Sequence, residues 1–345
     1  MLTMIKLKKS AEKIEAYFVN NVDCRVKLDA NEGNNYLLKD GLKIASFKPN
    51  LYPDSDCSIL REKMSSYYGC RAENIMVGNG SSEIINTVIN AYCEKGDKVM
   101  SFVPSFSMYK TYCDLCSAKY VGVDSENDFS QNIDKLIEEA KIQNPKIIIL
   151  CNPNNPTGYL TPIADVIKLL ENVKNSLVIL DEAYADFSEN SAVGLINDYE
   201  NLIVMRTMSK AFGLAGLRVG CLIAAEKTVK YIWKVKLPYN VNILSQYAAE
   251  LALKNSGRVS DYISSVKNRR EELSCELKKL NFLVYPSGAN FLFVKPPIQN
   301  LFEKLMERGI LIRKFNDDYY RITVGNKEEN EILIEELKKL LLLYK

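Results

Sequence analysis

The 345-residue chain contains no histidine, which excludes Ser-His-Asp and Cys-His catalysis, histidine-ligated zinc and imidazole acid–base chemistry. Proton transfer falls to Lys, Tyr, Asp or Glu. Charge excess is missing too: 45 Lys and Arg against 43 Asp and Glu leave a formal charge of +2, too little to attract nucleic acid or an anionic membrane. An anionic ligand has to be held by local groups. No run of 18 apolar residues occurs, and Lys6, Lys8 and Lys9 are not followed by an apolar core and small-residue cleavage site. Neither a membrane span nor a secretory leader is expected, and the chain reads as cytoplasmic. It also lacks the G-x-x-x-x-G-K-[ST] loop that holds a nucleoside triphosphate.

Nine cysteines are scattered without the paired framework of a small secreted domain, and we read them as reduced core thiols. Cys113 and Cys116 form the one close pair. A second C-x-x-C is absent, so zinc is not expected. The composition, 47% hydrophobic and 26% charged, is that of a globular protein, and the length suits about two domains.

Seven short apolar runs begin at Ile75, Lys98, Lys119, Lys146, Leu177, Asn201 and Val219. Most show no polar alternation, the mark of strands covered on both faces, and helical patterns separate many of them. This predicts an α/β fold with a mostly parallel seven-stranded sheet and helices on both faces. After about residue 250 the pattern changes to a long charged helix from Val259, paired strand-like runs in FLVYPSGANFLFV, the strand YYRITVG and a final amphipathic helix. A smaller α+β C-terminal domain is expected there.

Ligands of such sheets sit at the carboxyl ends of the strands. After the first run comes GNGSSEII, in which Gly78 and Gly80 permit a tight turn while Ser81 and Ser82 open a helix with free N–H groups. This is an anion site in physical terms, or an ordinary turn and N-cap. LVILDEAY puts Asp181 directly after apolar residues, where a carboxylate needs a cation or strong donor; capping a neighbouring backbone would also serve. A magnesium-holding acid is set aside because the triphosphate loop is missing. CNPNNPTG offers neutral amides, Asn155 among them, on a proline-fixed path. TMSKAFGLAGLRVG places Lys210 in an apolar, glycine-rich setting eight residues before Arg218. Desolvation there would lower the pKa of the amine and free it as a nucleophile. A Schiff-base lysine, a carboxylate for a pyridinium nitrogen, amides and a tyrosine for a phenolic oxygen, and Gly, Ser and Arg for one phosphate together describe a pyridoxal 5'-phosphate site.

KLDANEG, YPD, GNGSSE, PSFSMY, CNPNNPTG, LDEAY, TMSKAFGLAGLRVG and YRITVG occur in an order and spacing that resembles the fold-type-I aminotransferases, and within them the histidinol-phosphate aminotransferases. The resemblance implies that Lys210 forms the Schiff base and Asp181 pairs with the ring nitrogen. It implies that Tyr184 and Asn155 hold the phenolic oxygen and that Phe106 stacks on the ring. Ser81, Ser209 and Arg218 would bind the cofactor phosphate, with Tyr52 reaching it from the partner subunit of a homodimer, and Gly80, Ser82 and Thr207 would also contact the cofactor. Asn31, Asn155, Arg313 and Arg321 would bind the substrate. Relatives often carry an acidic residue at the position of Ser82 and tyrosine at that of Phe106, and the N-terminal stretch here lacks their proline-tyrosine element.

The implied division is a 1–45 segment associated with the small domain and the dimer interface, a 46–250 cofactor domain and a 251–345 small domain. The implied reaction is transamination between histidinol phosphate and 2-oxoglutarate, with no metal. Threonine-phosphate decarboxylation, aromatic or broad-range transamination, and a cofactor-holding regulator without catalysis are the rival readings.

Overall fold

Runs such as IIILC and LVILD have β-branched or bulky apolar side chains at successive positions, so both faces of each strand need cover. The computed structural model, which describes residues 14, 23–37, 48–316 and 318–343, places them at the centre of a seven-stranded sheet. In chain order the strands are β1 (Val26–Lys27), β2 (Ile75–Gly78), β3 (Lys98–Val103), β4 (Lys119–Asp124), β5 (Ile147–Cys151), β6 (Leu177–Asp181), β7 (Leu202–Thr207) and β8 (Gly220–Ala224). They are followed by β9 (Leu283–Val284), β10 (Phe291–Lys295), β11 (Ile310–Leu311), β12 (Arg313–Lys314) and β13 (Tyr320–Thr323). The large sheet runs β2-β8-β7-β6-β5-β3-β4, and β8 alone is antiparallel to its neighbours. Alternate residues serve two cores: Ile148, Leu150, Val178 and Leu180 pack on one face, Ile147, Ile149, Ile179 and Ile203 on the other.

Strand β4 departs from the expected double cover. Its exposed Lys119 and Asp124 lie at the sheet edge, where charge discourages pairing with another chain. The cysteine expectation is also corrected. Cys57, Cys93, Cys113, Cys151 and Cys221 are buried, but Cys275 is exposed because the helix Ser256–Lys279 turns Val266, Leu273 and Leu277 inward and leaves its other side to solvent.

The C-terminal part is an antiparallel sheet, β12-β13-β10-β9, against which the helix Ser256–Lys279 packs, while the helix Lys327–Leu343 packs on that helix and on β1. Its partner is the N-terminal segment, since β1 pairs in parallel with β11. Glu250 lies inside the helix Ile243–Lys254, and Asn255 separates that helix from Ser256–Lys279. The stretch expected to lack a proline-tyrosine element lies largely outside the described residues.

Candidate active site

Because β2, β3, β5, β6 and β7 share one direction, their carboxyl ends form a common rim, and antiparallel β8 begins at that same rim. A cavity of about 340 Å³ opens there. β2 delivers Ser81 and Ser82, β3 delivers Phe106, β5 delivers Asn155, and β6 delivers Asp181 and Tyr184. β7 delivers Thr207, Ser209 and Lys210, and the turn into β8 delivers Arg218. Ten of the expected residues thus line one cavity.

Gly80 lies just beneath it, with a positive φ of 80°; a Cβ there would meet the Arg218 guanidinium at 2.5 Å. The turn therefore needs glycine, and the helix Gly80–Tyr92 begins there with its first N–H groups lacking intrahelical acceptors and with Ser81 and Ser82 lining the cavity. Thr207 and Ser209 are linked Oγ to Oγ at 3.0 Å on the next part of the rim. Phe106 presents a half-buried ring set edge-on to Tyr109, with centroids 5.5 Å apart.

Lys210 keeps part of its surface open to the cavity, but surrounding protein strips water from its amine and lowers its pKa to about 7, with the Arg321 charge acting in the same direction. The amine donates to the Ala30 carbonyl at 2.9 Å. Ala30 reaches it because the N-terminal segment runs tightly over the Lys210 turn; a Cβ on Gly33 would sit 2.2 Å from the Lys210 carbonyl oxygen. Burial raises the pKa of Asp181, opposed by the Tyr109 hydroxyl, which donates to Oδ2 at 2.6 Å, by the Ala183 N–H at 3.2 Å and by the Lys210 charge. Burial pushes the Tyr184 phenol up to about 12, while Arg321 and the Asn31 amide, donating to its oxygen at 3.2 Å, pull the other way.

The remaining expected residues stand around this cavity. Arg321 is buried and donates through Nη1 to Asn155 Oδ1 and through Nη2 to the Asp29 carbonyl, both at 2.5 Å. Arg313 is its cross-strand neighbour, half-buried and outside the cavity lining among the described residues. Asn31 is fully buried behind Tyr184. Tyr52 is 81% exposed and stacks on Tyr239 with ring centroids 4.5 Å apart, outside that lining within its own subunit. Among the described residues, no group of His, Cys, Asp and Glu could hold a metal, and no helix is long and apolar enough to cross a membrane.

Residues 34–337 match the family described as aminotransferase class I and II. The chain belongs to that family. Curated relatives from Thermoanaerobacter pseudethanolicus and Ruminiclostridium cellulolyticum, both named histidinol-phosphate aminotransferase, are 41% and 39% identical over 94% and 93% of this chain, and cover 96% and 94% of their own. The crystal structure of histidinol-phosphate aminotransferase from Sinorhizobium meliloti in complex with pyridoxal-5'-phosphate superposes with a TM-score of 0.89, at 20% identity and over 98% of this chain and 99% of that one. The aminotransferase fold is therefore that of the type I pyridoxal-phosphate transferases, and the family's cofactor is pyridoxal 5'-phosphate. The residues present suit that group: a desolvated primary amine and a buried carboxylate share a cavity with a glycine turn, hydroxyls and a guanidinium.

Three features of this aminotransferase site escape the sequence reading. Tyr109, the donor to Asp181, is the last residue of PSFSMY, three after Phe106, and its burial was the missing information. Arg206 forms buried ion pairs with Glu182, at 2.8 Å, and with Asp186. Strand alternation could have signalled this: Asp181 and Thr207 face the cavity, so Glu182 and Arg206 point to the opposite side, where each neutralises the other. Thr323, two residues after Arg321, hydrogen-bonds Asn31.

Proposed function

We propose that the chain transfers the amino group of histidinol phosphate to 2-oxoglutarate, a step of histidine biosynthesis in the cytoplasm, as a homodimer. The reading is carried by one observation above the others: an amine with a pKa of about 7 faces a buried carboxylate across a cavity that also holds an anion cup. The substrate assignment is supported by the relatives' name at about 40% identity across nearly the whole chain. We further propose the division into a 1–45 segment, a 46–250 cofactor domain and a 251–345 small domain, supported by the pairing of β1 with β11.

When bound, pyridoxal phosphate supplies an aldehyde and an electron-accepting ring. Lys210 Nζ, its pKa lowered to about 7, would be the amine that holds the aldehyde carbon and, when free, would carry the proton at the substrate's Cα. Asp181 would pair with the ring nitrogen and hold a proton there, since burial disfavours an unpaired carboxylate at this spot. Tyr109 orients that carboxylate through Oδ2. Ser81, Ser82, Thr207, Ser209, Arg218 and the turn at Gly80 would hold the phosphate, beside the start of the helix Gly80–Tyr92. Phe106, Tyr184 and Asn155 line the same cavity, where Phe106 would cover the ring and Tyr184 and Asn155 would hold the phenolic oxygen. Arg321 binds the anionic end of either substrate, and Arg313, beside it across the strand pair, adds a second cation for the phosphate dianion, with Asn31 closing the site. Tyr52 serves the partner's phosphate cup. Its exposure beside exposed Leu51, Ile59, Leu237 and Tyr239 supports an apolar subunit interface there.

Single-turnover spectra of the holoenzyme with histidinol phosphate, phenylalanine, glutamate and threonine phosphate test the reading. Histidinol phosphate and glutamate should convert the cofactor to its amine form, with histidinol phosphate ahead of phenylalanine in rate over affinity. Release of carbon dioxide from threonine phosphate, or faster reaction with phenylalanine, overturns the substrate assignment.

A further inference from the structure

We infer that Thr323 is a positioning residue that sets the direction of the hydrogen bonds reaching Tyr184, so that the Tyr184 hydroxyl directs its proton into the cavity. This rests on the reading that Tyr184 faces the cofactor's phenolic oxygen.

The direction follows from a group that can only donate. The Asn31 backbone N–H donates to Thr323 Oγ1 at 3.0 Å. The Thr323 hydroxyl proton then goes to Asn31 Oδ1, also at 3.0 Å. With its oxygen thus occupied, the Asn31 amide presents Nδ2 to Tyr184, at 3.2 Å. Tyr184 accepts that bond, and its own proton is left for an acceptor in the cavity it lines. Asn31 can close this ring because it holds a left-handed backbone, φ 53°, which asparagine tolerates. A second amide, Asn290 Nδ2, donates to the Asn31 carbonyl at 3.2 Å and fixes the segment from the other side. Without Thr323 the Asn31 amide could turn over and offer its oxygen to Tyr184, which would draw the hydroxyl proton away from the cavity. Thr323 and Arg321 occupy alternate positions of β13 and so lie on one face; one strand thereby bears on Tyr184 through Asn31 and on Asn155 directly.

The groups acting electrostatically on Tyr184 are Lys210, whose Nζ lies 5.7 Å from its ring centroid, with Arg321, Asp181 and Cys151. Thr323→Val alters none of them. A hydroxyl donating to the cofactor oxygen stabilises it as an anion, so loss of that donor makes the oxygen hold its shared proton more tightly. The test is the pH midpoint of the holoenzyme's visible absorption band, with the melting temperature measured alongside. Thr323→Val should raise the midpoint by about half a pH unit, roughly threefold in proton affinity. Thr323→Ser should restore it, and Thr323→Val should add nothing in a Tyr184→Phe background. A lowered melting temperature with an unmoved midpoint overturns the inference, as does an equal shift in both backgrounds. If Thr323→Val does not fold, Thr323→Ala also removes the hydroxyl that holds Asn31 Oδ1, and an unmoved midpoint there is equally decisive. Tyr184→Phe alone separates the levels: if it leaves the midpoint in place, the reading of Tyr184 fails, whereas if it shifts the midpoint and Thr323→Val does not, only the role of Thr323 fails.

Discussion

The seven-stranded sheet reaches the cavity through the turns at its strand ends, whereas the small antiparallel sheet bears on it through side chains along a strand, Arg321 and Thr323 of β13. At a strand end the backbone is free of its ladder, so a turn can present N–H groups, hydroxyls and a lysine together. Along a strand, alternation limits the sheet to every second residue; Ile322, between the two, is buried in the core. The first arrangement suits a cofactor gripped at many points. The second suits two anchors on a neighbouring layer that also touches the rim's turns directly, as where the Gly288 N–H donates to the Gly158 carbonyl at 2.8 Å.

The largest expected effect breaks the rim. Asp181→Asn should retain cofactor but lower kcat by about 100-fold or more, since an amide cannot keep the ring nitrogen protonated. A kcat within about threefold of wild type, under about 1 kcal/mol of barrier, would contradict the role given to Asp181.

A paired experiment sharpens the division of labour. Arg218→Ala should weaken cofactor binding by about 10-fold or more while acting on both substrates alike, because a charge-assisted phosphate contact is lost. Arg321→Ala should leave cofactor affinity within about twofold and raise KM about 10-fold or more for histidinol phosphate and glutamate alike. Equilibrium titration of the cofactor and steady-state kinetics on both variants check this; exchanged phenotypes would mean that the sheets do not divide the work as described.

The rim was the more legible region. GNGSS, CNPNNPTG, LDEAY and TMSK are contiguous, and each lies directly after an apolar run, so local reasoning finds the residues and the common rim joins them. Arg321 was found through resemblance rather than pattern, because YRITVG alone reads as an ordinary strand. Thr323 and Tyr109 were not found, since their meaning lies in partners 292 and 72 residues away in sequence, Asn31 and Asp181. Arg206 was missed for a different reason: alternation turns it away from the cavity, but its partner Glu182, the residue after β6, is fixed by the pairing of β6 with β7.

A smaller effect concerns pH. Lys210 titrates near 7 in the folded protein and near 10.5 as an ordinary lysine, so between those values the unfolded chain binds the extra proton and stability rises with pH. Below about 7 the full cost of a buried ammonium is present in the cofactor-free protein, and it fades as the pH climbs towards 10.5. The melting temperature of apoprotein should therefore rise more steeply between pH 7 and 9 in wild type than in Lys210→Met. Parallel profiles would show that the amine is not desolvated.

The most direct test of the whole account is to reduce the holoenzyme with borohydride, digest it and locate the pyridoxyl group by mass spectrometry. The site described here predicts one modified peptide, carrying the group on Lys210 within TMSKAFGLAGLR. A label on any other lysine, or none on a protein that binds the cofactor stoichiometrically, would contradict it.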